Sequence, residues 1–500
     1  MNIRRFNYGS AGQLYWKGNE FRDWIGFYDV FTLHWGQDQG GPLPSLDLVR
    51  KIKLADQNIK ALLYRNLKAI YNTAAELSLF RTNGWILKNA AGEEIVDAVW
   101  SDSPMVDTGN PDYQLWVANW IKNTIIQGGF DGTFLDCAIF GTKEHLWGCV
   151  GKTSRCNAQT TCPPINPRTG KAYTDADWLN DELLLNRTIK NVLGSIPVLA
   201  NGTWNGTHFF RIGSHNSYVA LIQDPAIDGW MIEGFLLAGN GLWYSETDWK
   251  NSVDYIVWIE QNVPINKSVI VPTHMKPKLP TGITHDEIVL YTYASMLLGA
   301  GADRIYYMVN EPWQTLQYHG SPFVQTLMRL DLGMPLTTNY DVTEQTNARV
   351  YSRQFTKGMV LANPTLANLT VTLPAQYYTL LGELVSSIEV PSRRGIILLE
   401  GPPNPPPQYT LSVSTTIGGT TAPPIGNYTY PVNTPITLIA TPDMGYYFHK
   451  WVINGQVFTT PEVTIQITED TRAQAYFDVV PPPNNVALLI LLALLLVATA

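Results

Sequence analysis

Charge is scarce in this 500-residue chain: Asp, Glu, Lys and Arg together make up 15%, and the formal net charge is −8. No basic run is present to neutralise phosphates, which argues against nucleic acid as a partner. Cysteine is scarcer still, with four residues, and no Cys or His spacing matches a standard zinc pattern. A metal-dependent barrel hydrolase would need a His-x-His or carboxylate–His cluster, and neither occurs, so no metal and no other cofactor is expected. The opening segment, "MNIRRFNYGSAGQLYWKG", lacks the apolar core of an export signal.

Aromatic residues, by contrast, are plentiful: 16 Trp, 25 Tyr and 16 Phe. They suit both large cores and surfaces that stack on sugar rings. Five hundred residues exceed what one hydrophobic core organises, so two to four domains are expected. Short β-rich apolar runs alternate with longer helical patterns over the first three hundred or so residues. The runs are "WIGFYDV" (24–30), "IKALLYR" (59–65), "FDGTFLD" (130–136), "PVLAN" (197–201), "DGWMIE" (228–233), "SVIVPTH" (268–274) and "DRIYYMVN" (303–310), with a further strand needed near "MVD" (105–107). Helical stretches such as 112–127 and 285–301 lie between them. Eight alternations give an α/β fold, a (β/α)8 TIM barrel over residues 20–340. Asp136 and Glu233 then fall on strands four and six, once 141–175 is set aside as an inserted loop.

Beyond the barrel, short alternating runs over 345–400 predict a small β-sandwich, "GPPNPPPQ" (401–408) a stiff linker, and 409–478 a second small all-β module. Residues Val486–Ala500, "VALLILLALLLVATA", form an uninterrupted apolar run. At fifteen residues it is shorter than the roughly 20 that span a bilayer; it is read as a C-terminal membrane anchor rather than a buried helix. An anchored protein displayed on the cell surface agrees with six N-x-[ST] sequons (Asn186, Asn201, Asn205, Asn266, Asn368, Asn427) and with a disulfide among Cys149, Cys156 and Cys162 in the inserted loop. A metal site joining those cysteines to His145 ranks below the disulfide. The absent export signal conflicts with this placement unless the start codon is mis-assigned.

Polar residues gather at the C-terminal ends of the expected strands, where barrels carry their reactive groups: Asp29, Tyr64, Arg65, Asp107, Asp136, Asn201, Glu233, His274, Asn310 and Glu311. Two carboxylates across a barrel mouth are what cleavage of a glycosidic bond requires. Asp136, expected beside Asp131 and Arg65, would be the charged partner. Glu233, between Trp230 and Phe235, would be raised by apolar burial toward the acid role. The competing reading makes each a cap on the following helix. Asp131 and Asp228 are assigned to strand-entry turns.

The stretches "MVDTGNPDYQLWVANWI", "GFDGTFLD" and "IDGWMIEGF" resemble the glycoside hydrolases related to endo-α-1,4-polygalactosaminidases, over roughly residues 20–400. That resemblance implies Asp136 as nucleophile, Glu233 as general acid/base and Asp107 as a substrate or support residue. Tyr64, Arg65, Asn201, Trp204 and His274 complete the expected substrate-binding set. Trp35, Trp147 and Trp243 are weaker stacking candidates. Residues 409–478 resemble a divergent internalin-type B repeat. The implied activity is hydrolysis of a polysaccharide, with a retaining mechanism. The alternative is a carbohydrate-binding or surface-structural protein on a barrel that has lost catalysis.

Overall fold

The computed structural model describes residues 4–7, 29–34, 147–149, 244–274 and 322–403 and, with short breaks, 49–136, 163–236, 282–310 and 408–481. It has two units, Met1–Pro403 and Asn404–Ala500. In the first, eight parallel strands close into a barrel. In chain order they are Arg4–Asn7, Val30–His34, Lys60–Asn66, Gly132–Asp136, Val198–Asn201, Gly229–Met231, Ser268–His274 and Ile305–Asn310, and the eighth pairs with the first.

Asp136 therefore ends the fourth strand and Glu233 follows the sixth, but the strands before them are numbered differently from the sequence reading. The first strand is the short basic segment Arg4–Asn7, which has no apolar run to announce it. "IKALLYR" is the third strand, and "MVD" is not a barrel strand at all. Met105 and Val106 instead make antiparallel bridges to Ala69 and Ile86, and both are buried. Two apolar residues cannot by themselves distinguish a barrel strand from such a ribbon.

Alternation along the strands divides the core in two. Val30, Leu62, Tyr64, Phe134, Leu199, Met231, Ile270 and Tyr306 point inward and fill the barrel. Their neighbours, among them Leu63, Leu135, Ala200, Trp230 and Val269, point outward into the layer shared with the helices. The helices have the expected end signals. Asn110 caps Pro111–Gly128 by accepting from the backbone of Asp112 and Tyr113, and Thr174 with Asp177, and Thr284 with Glu287, form capping boxes.

The paired Asp-Gly motifs secure the entry ends of two strands. Asp131 accepts from Ala61 N at 2.8 Å and meets Lys53 Nζ at 2.6 Å. Asp228 accepts from Val198 N at 2.8 Å and Lys190 Nζ at 2.7 Å. Each following glycine lies against the next strand: a Cβ on Gly132 would sit 2.6 Å from Pro197 O, and one on Gly229 2.6 Å from Ser268 O. Any side chain there would push the strands apart. Asp131 is thus at the opposite end of its strand from Asp136, a correction to the expectation that the two are neighbours.

Strands between Asp341 and Leu399 form a six-stranded antiparallel sheet. Its alternate residues serve two cores: Val350, Leu361 and Leu398 pack with Leu369, Val371 and Tyr377, while Tyr351, Val360 and Ile397 join the barrel's helical layer. The Arg353 guanidinium ties the sheet to the barrel by donating to the carbonyls of Leu297, Leu298 and Ala300. In the second unit a five-stranded and a three-stranded sheet enclose Leu411, Val413, Leu438, Trp451, Ile467 and Phe477.

Among the described residues no helix is long and apolar enough to cross a membrane; Val486–Ala500 lies outside them, as do Cys156, Cys162 and the side chain of Cys149. Three of the sequons, Asn186, Asn201 and Asn205, are 0%, 4% and 7% exposed and cannot carry a glycan in this fold, whereas Asn266, Asn368 and Asn427 are exposed.

Candidate active site

The inward alternation that fills the barrel also builds the site. Two residues beyond Leu62, Phe134, Leu199 and Met231 stand Tyr64, Asp136, Asn201 and Glu233, so each polar side chain comes out on the same side as the interior residue below it. Tyr64 Oη donates to Asp136 Oδ2 at 2.5 Å. Asn201 Nδ2 donates to Asp136 Oδ1 at 2.9 Å and to Glu233 Oε2 at 2.8 Å. One amide nitrogen therefore spans the two carboxylates, and each oxygen of Asp136 accepts a hydrogen bond that holds it in place.

The two acids differ in surroundings. Asp136 is 8% exposed at the strand end, while Glu233 is partly exposed on the turn after the sixth strand. Burial first, and then the negative charge of Asp136, push Glu233 up to about 7, with the Asn201 hydrogen bond and the Lys68 charge pulling the other way. A carboxylic acid that keeps its proton near neutrality, beside a carboxylate fixed by two donors, can give a proton to a leaving oxygen.

Arg65 does not belong to this group. As the neighbour of inward-facing Tyr64 it points out of the barrel, where its guanidinium lies 4.3 Å over the Trp120 ring and 3.6 Å from Glu76 Oε2. There it packs on helix Pro111–Gly128, away from Asp136, Asn201 and Glu233. Arg65→Met should therefore leave KM unchanged while removing about 1 kcal/mol of packing, a fall of roughly 2–3 °C in Tm. Michaelis kinetics and a thermal scan on the same preparation check both halves.

Asp107 is held in a buried ion-pair cluster. It is 1% exposed, with Oδ1 3.1 Å from Arg168 Nη1 and 2.9 Å from the Tyr173 hydroxyl. Arg168 also binds Asp181, so the end of the inserted loop is fastened to helix Asp175–Leu193. His274 ends the seventh strand, in register with Asn310, and its side chain lies outside the described residues, as do Trp35, Trp204, Trp243 and Glu311. No group of three or more metal-ligating side chains occurs among the described residues.

Sequence reasoning missed Lys68, which is 7% exposed two residues past the third strand and paired with fully buried Asp97. A lysine inside the apolar run "NLKAI" was a visible signal, but its partner is distant in sequence. Tyr244, just before helix Glu246–Asn262, was missed too, because nothing in the sequence around it points to its partner, the Gly234 carbonyl.

An eight-stranded parallel barrel with paired acids at its C-terminal mouth has the architecture of a glycoside hydrolase. The chain belongs to the hypothetical glycosyl hydrolase family 15, whose model matches residues 58–359. Residues 409–481 match the divergent InlB B-repeat domain. No curated protein matches the chain. Similar solved structures include an alpha-amylase from Lactobacillus plantarum (12% identity, TM-score 0.47, covering 79% of this chain and 98% of that one). Others are the noncanonic maltogenic alpha-amylase AmyB from Thermotoga neapolitana (10% identity, TM-score 0.45, 79% and 98%) and the glycoside hydrolase domain of PelA from Pseudomonas aeruginosa (12% identity, TM-score 0.36, 63% and 96%). The family membership indicates hydrolysis of glycosidic bonds.

Proposed function

We propose that the protein is a retaining polysaccharide hydrolase in which Asp136 is the nucleophile and Glu233 the general acid/base. The observation that carries this reading is the shared Asn201 amide. Its two acceptor oxygens can be no farther apart than the 2.9 and 2.8 Å bonds laid end to end. So tight a pairing favours the close carboxyls of retaining enzymes, about 5–5.5 Å apart, over the roughly 6.5–9.5 Å that admits an inverting water.

In the first step Glu233 gives its proton to the leaving oxygen while Asp136 attacks the anomeric carbon, forming a glycosyl ester. Glu233, now charged, takes a proton from water, which hydrolyses the ester. Tyr64 and Asn201 orient the attacking carboxylate. The resemblance to polygalactosaminidase-like enzymes favours polymers containing galactosamine. The test is a panel of galactosamine- and glucose-containing polymers, with the anomer of the first-formed product read by NMR. Release of a sugar with the starting configuration is expected; inverted product would remove the nucleophile assignment, and binding without turnover would favour a lectin-like barrel.

A further inference from the structure

Glu233 stands on a turn whose next residue, Gly234, has φ +73°, in the left-handed region. On either side the chain is pinned by backbone bonds to the seventh strand, Ile232 N to Ile270 O at 2.8 Å and Phe235 N to Pro272 O at 3.4 Å. The Gly234 carbonyl is held by a side chain: the Tyr244 hydroxyl donates to it at 2.7 Å. That hydroxyl accepts from Asn205 Nδ2 at 2.6 Å.

The direction of this chain of bonds follows from Asn205. Its Oδ1 already serves the backbone N of His208 at 3.2 Å and His208 Nδ1 at 3.0 Å, so its amide nitrogen must face Tyr244. With its lone pair engaged, the Tyr244 hydroxyl has its hydrogen directed at Gly234. Burial pushes the Tyr244 phenol above its usual range, which preserves that hydrogen. Asn205 is itself anchored: it caps the short helix Gly206–Phe209, and Thr207 of that helix donates to Asp248 Oδ1 of helix Glu246–Asn262 at 2.7 Å.

We propose that Tyr244, oriented by Asn205, is a positioning residue that fixes the Glu233–Gly234 turn and so aims the acid/base at the leaving oxygen. The inference rests on the acid/base reading of Glu233 given above. Losing the hydroxyl should leave the nucleophile and the binding residues where they are and misplace only the proton donor. A misplacement of up to about 1 Å costs about 10–100-fold in rate, and only where a proton is needed.

The experiment compares Tyr244→Phe, Glu233→Ala and the parent chain on two substrates. One is the polymer selected by the panel; the other is the dinitrophenyl glycoside of its sugar, whose leaving group departs without a proton. For Tyr244→Phe, kcat on the polymer should fall about 10–100-fold with KM unchanged, and the rate of glycosyl-enzyme formation from the dinitrophenyl glycoside should stay within about twofold. Asn205→Asp keeps the helix-capping oxygen, removes the donor to Tyr244 and draws the hydroxyl hydrogen away from Gly234. It should reproduce the Tyr244→Phe pattern and serves if that variant does not accumulate. An equal fall on both substrates, or no fall on the polymer, overturns the positioning role while Glu233→Ala still shows leaving-group dependence. If Glu233→Ala shows no such dependence, the acid/base assignment itself is wrong and the inference goes with it.

Discussion

Asp136→Ala should lower kcat/KM on the natural polymer by about 10⁵-fold or more, as removal of a nucleophile does elsewhere, with little change in Tm. The large kinetic effect follows from chemistry: with no carboxylate to form the glycosyl ester, both steps of a double displacement are lost. The small effect on folding follows from geometry, because Asp136 ends its strand at the mouth and the apolar layer begins with Phe134 beneath it. Its donors, Tyr64 and Asn201, each lose one acceptor, and removal of a charge that opposes ionisation of Glu233 works against that cost. The loss should be the same for good and poor leaving groups, since no substrate can do without the attacking group. Steady-state kinetics on the polymer and on a dinitrophenyl glycoside would settle this; activity near that of the parent chain would remove Asp136 from the mechanism.

Glu233→Ala should behave differently. On the polymer the loss should be about 10²–10⁴-fold, the usual worth of a general acid. Glycosyl-enzyme formation from a dinitrophenyl glycoside should stay fast, because that leaving group needs no proton. Azide should then raise turnover by replacing water in the second step, yielding a glycosyl azide. The pH profile gives an independent check. With Glu233 raised to about 7 by burial and by the Asp136 charge, kcat/KM of the parent chain should fall as pH rises through that value and the acid loses its proton. Glu233→Ala should lack this alkaline limb. The same shift has a sign for stability. Folding favours the protonated form of Glu233, so its contribution is fully present below the ordinary glutamate value of 4.5 and is lost as pH rises through about 7. Glu233→Gln should therefore gain in Tm relative to the parent chain at pH 8 compared with pH 5, as thermal scans at the two values would show.

Much of this protein is legible in its amino-acid sequence. The pairing of Asp136 with Glu233 follows from two strands that end on acids and from the spacing between them. The Asp-Gly entries at 131–132 and 228–229 separate from those acids as structural, because turn chemistry is local. The small β module before the Pro-rich linker shows itself through short alternating runs between turn residues, and the stretch 409–478 through its resemblance to a B repeat. These features depend on neighbours within a few positions, and periodicity reports them directly.

Other features depend on contacts that sequence spacing does not encode. Arg4–Asn7 is a barrel strand because its backbone pairs with Tyr306 and Tyr307 and with Val30 and Phe31; four residues have no periodicity of their own. "MVD" has the apolar character of a strand but belongs to an antiparallel ribbon rather than to the barrel, and Asp107 pairs with Arg168 there. Tyr64 and Arg65 read in sequence as one polar strand end, and the pleat sends them to opposite faces, one onto Asp136 and the other onto Trp120. The sequence alone determined that Asp136 and Glu233 stand at or just past the ends of two strands and that a barrel would collect them. Only the tertiary structure decided that one Asn201 amide spans both acids, and that Tyr244 bonds the turn behind Glu233. Such contacts join strands and loops between 10 and 65 residues apart, and their geometry is set by barrel closure rather than by local propensity.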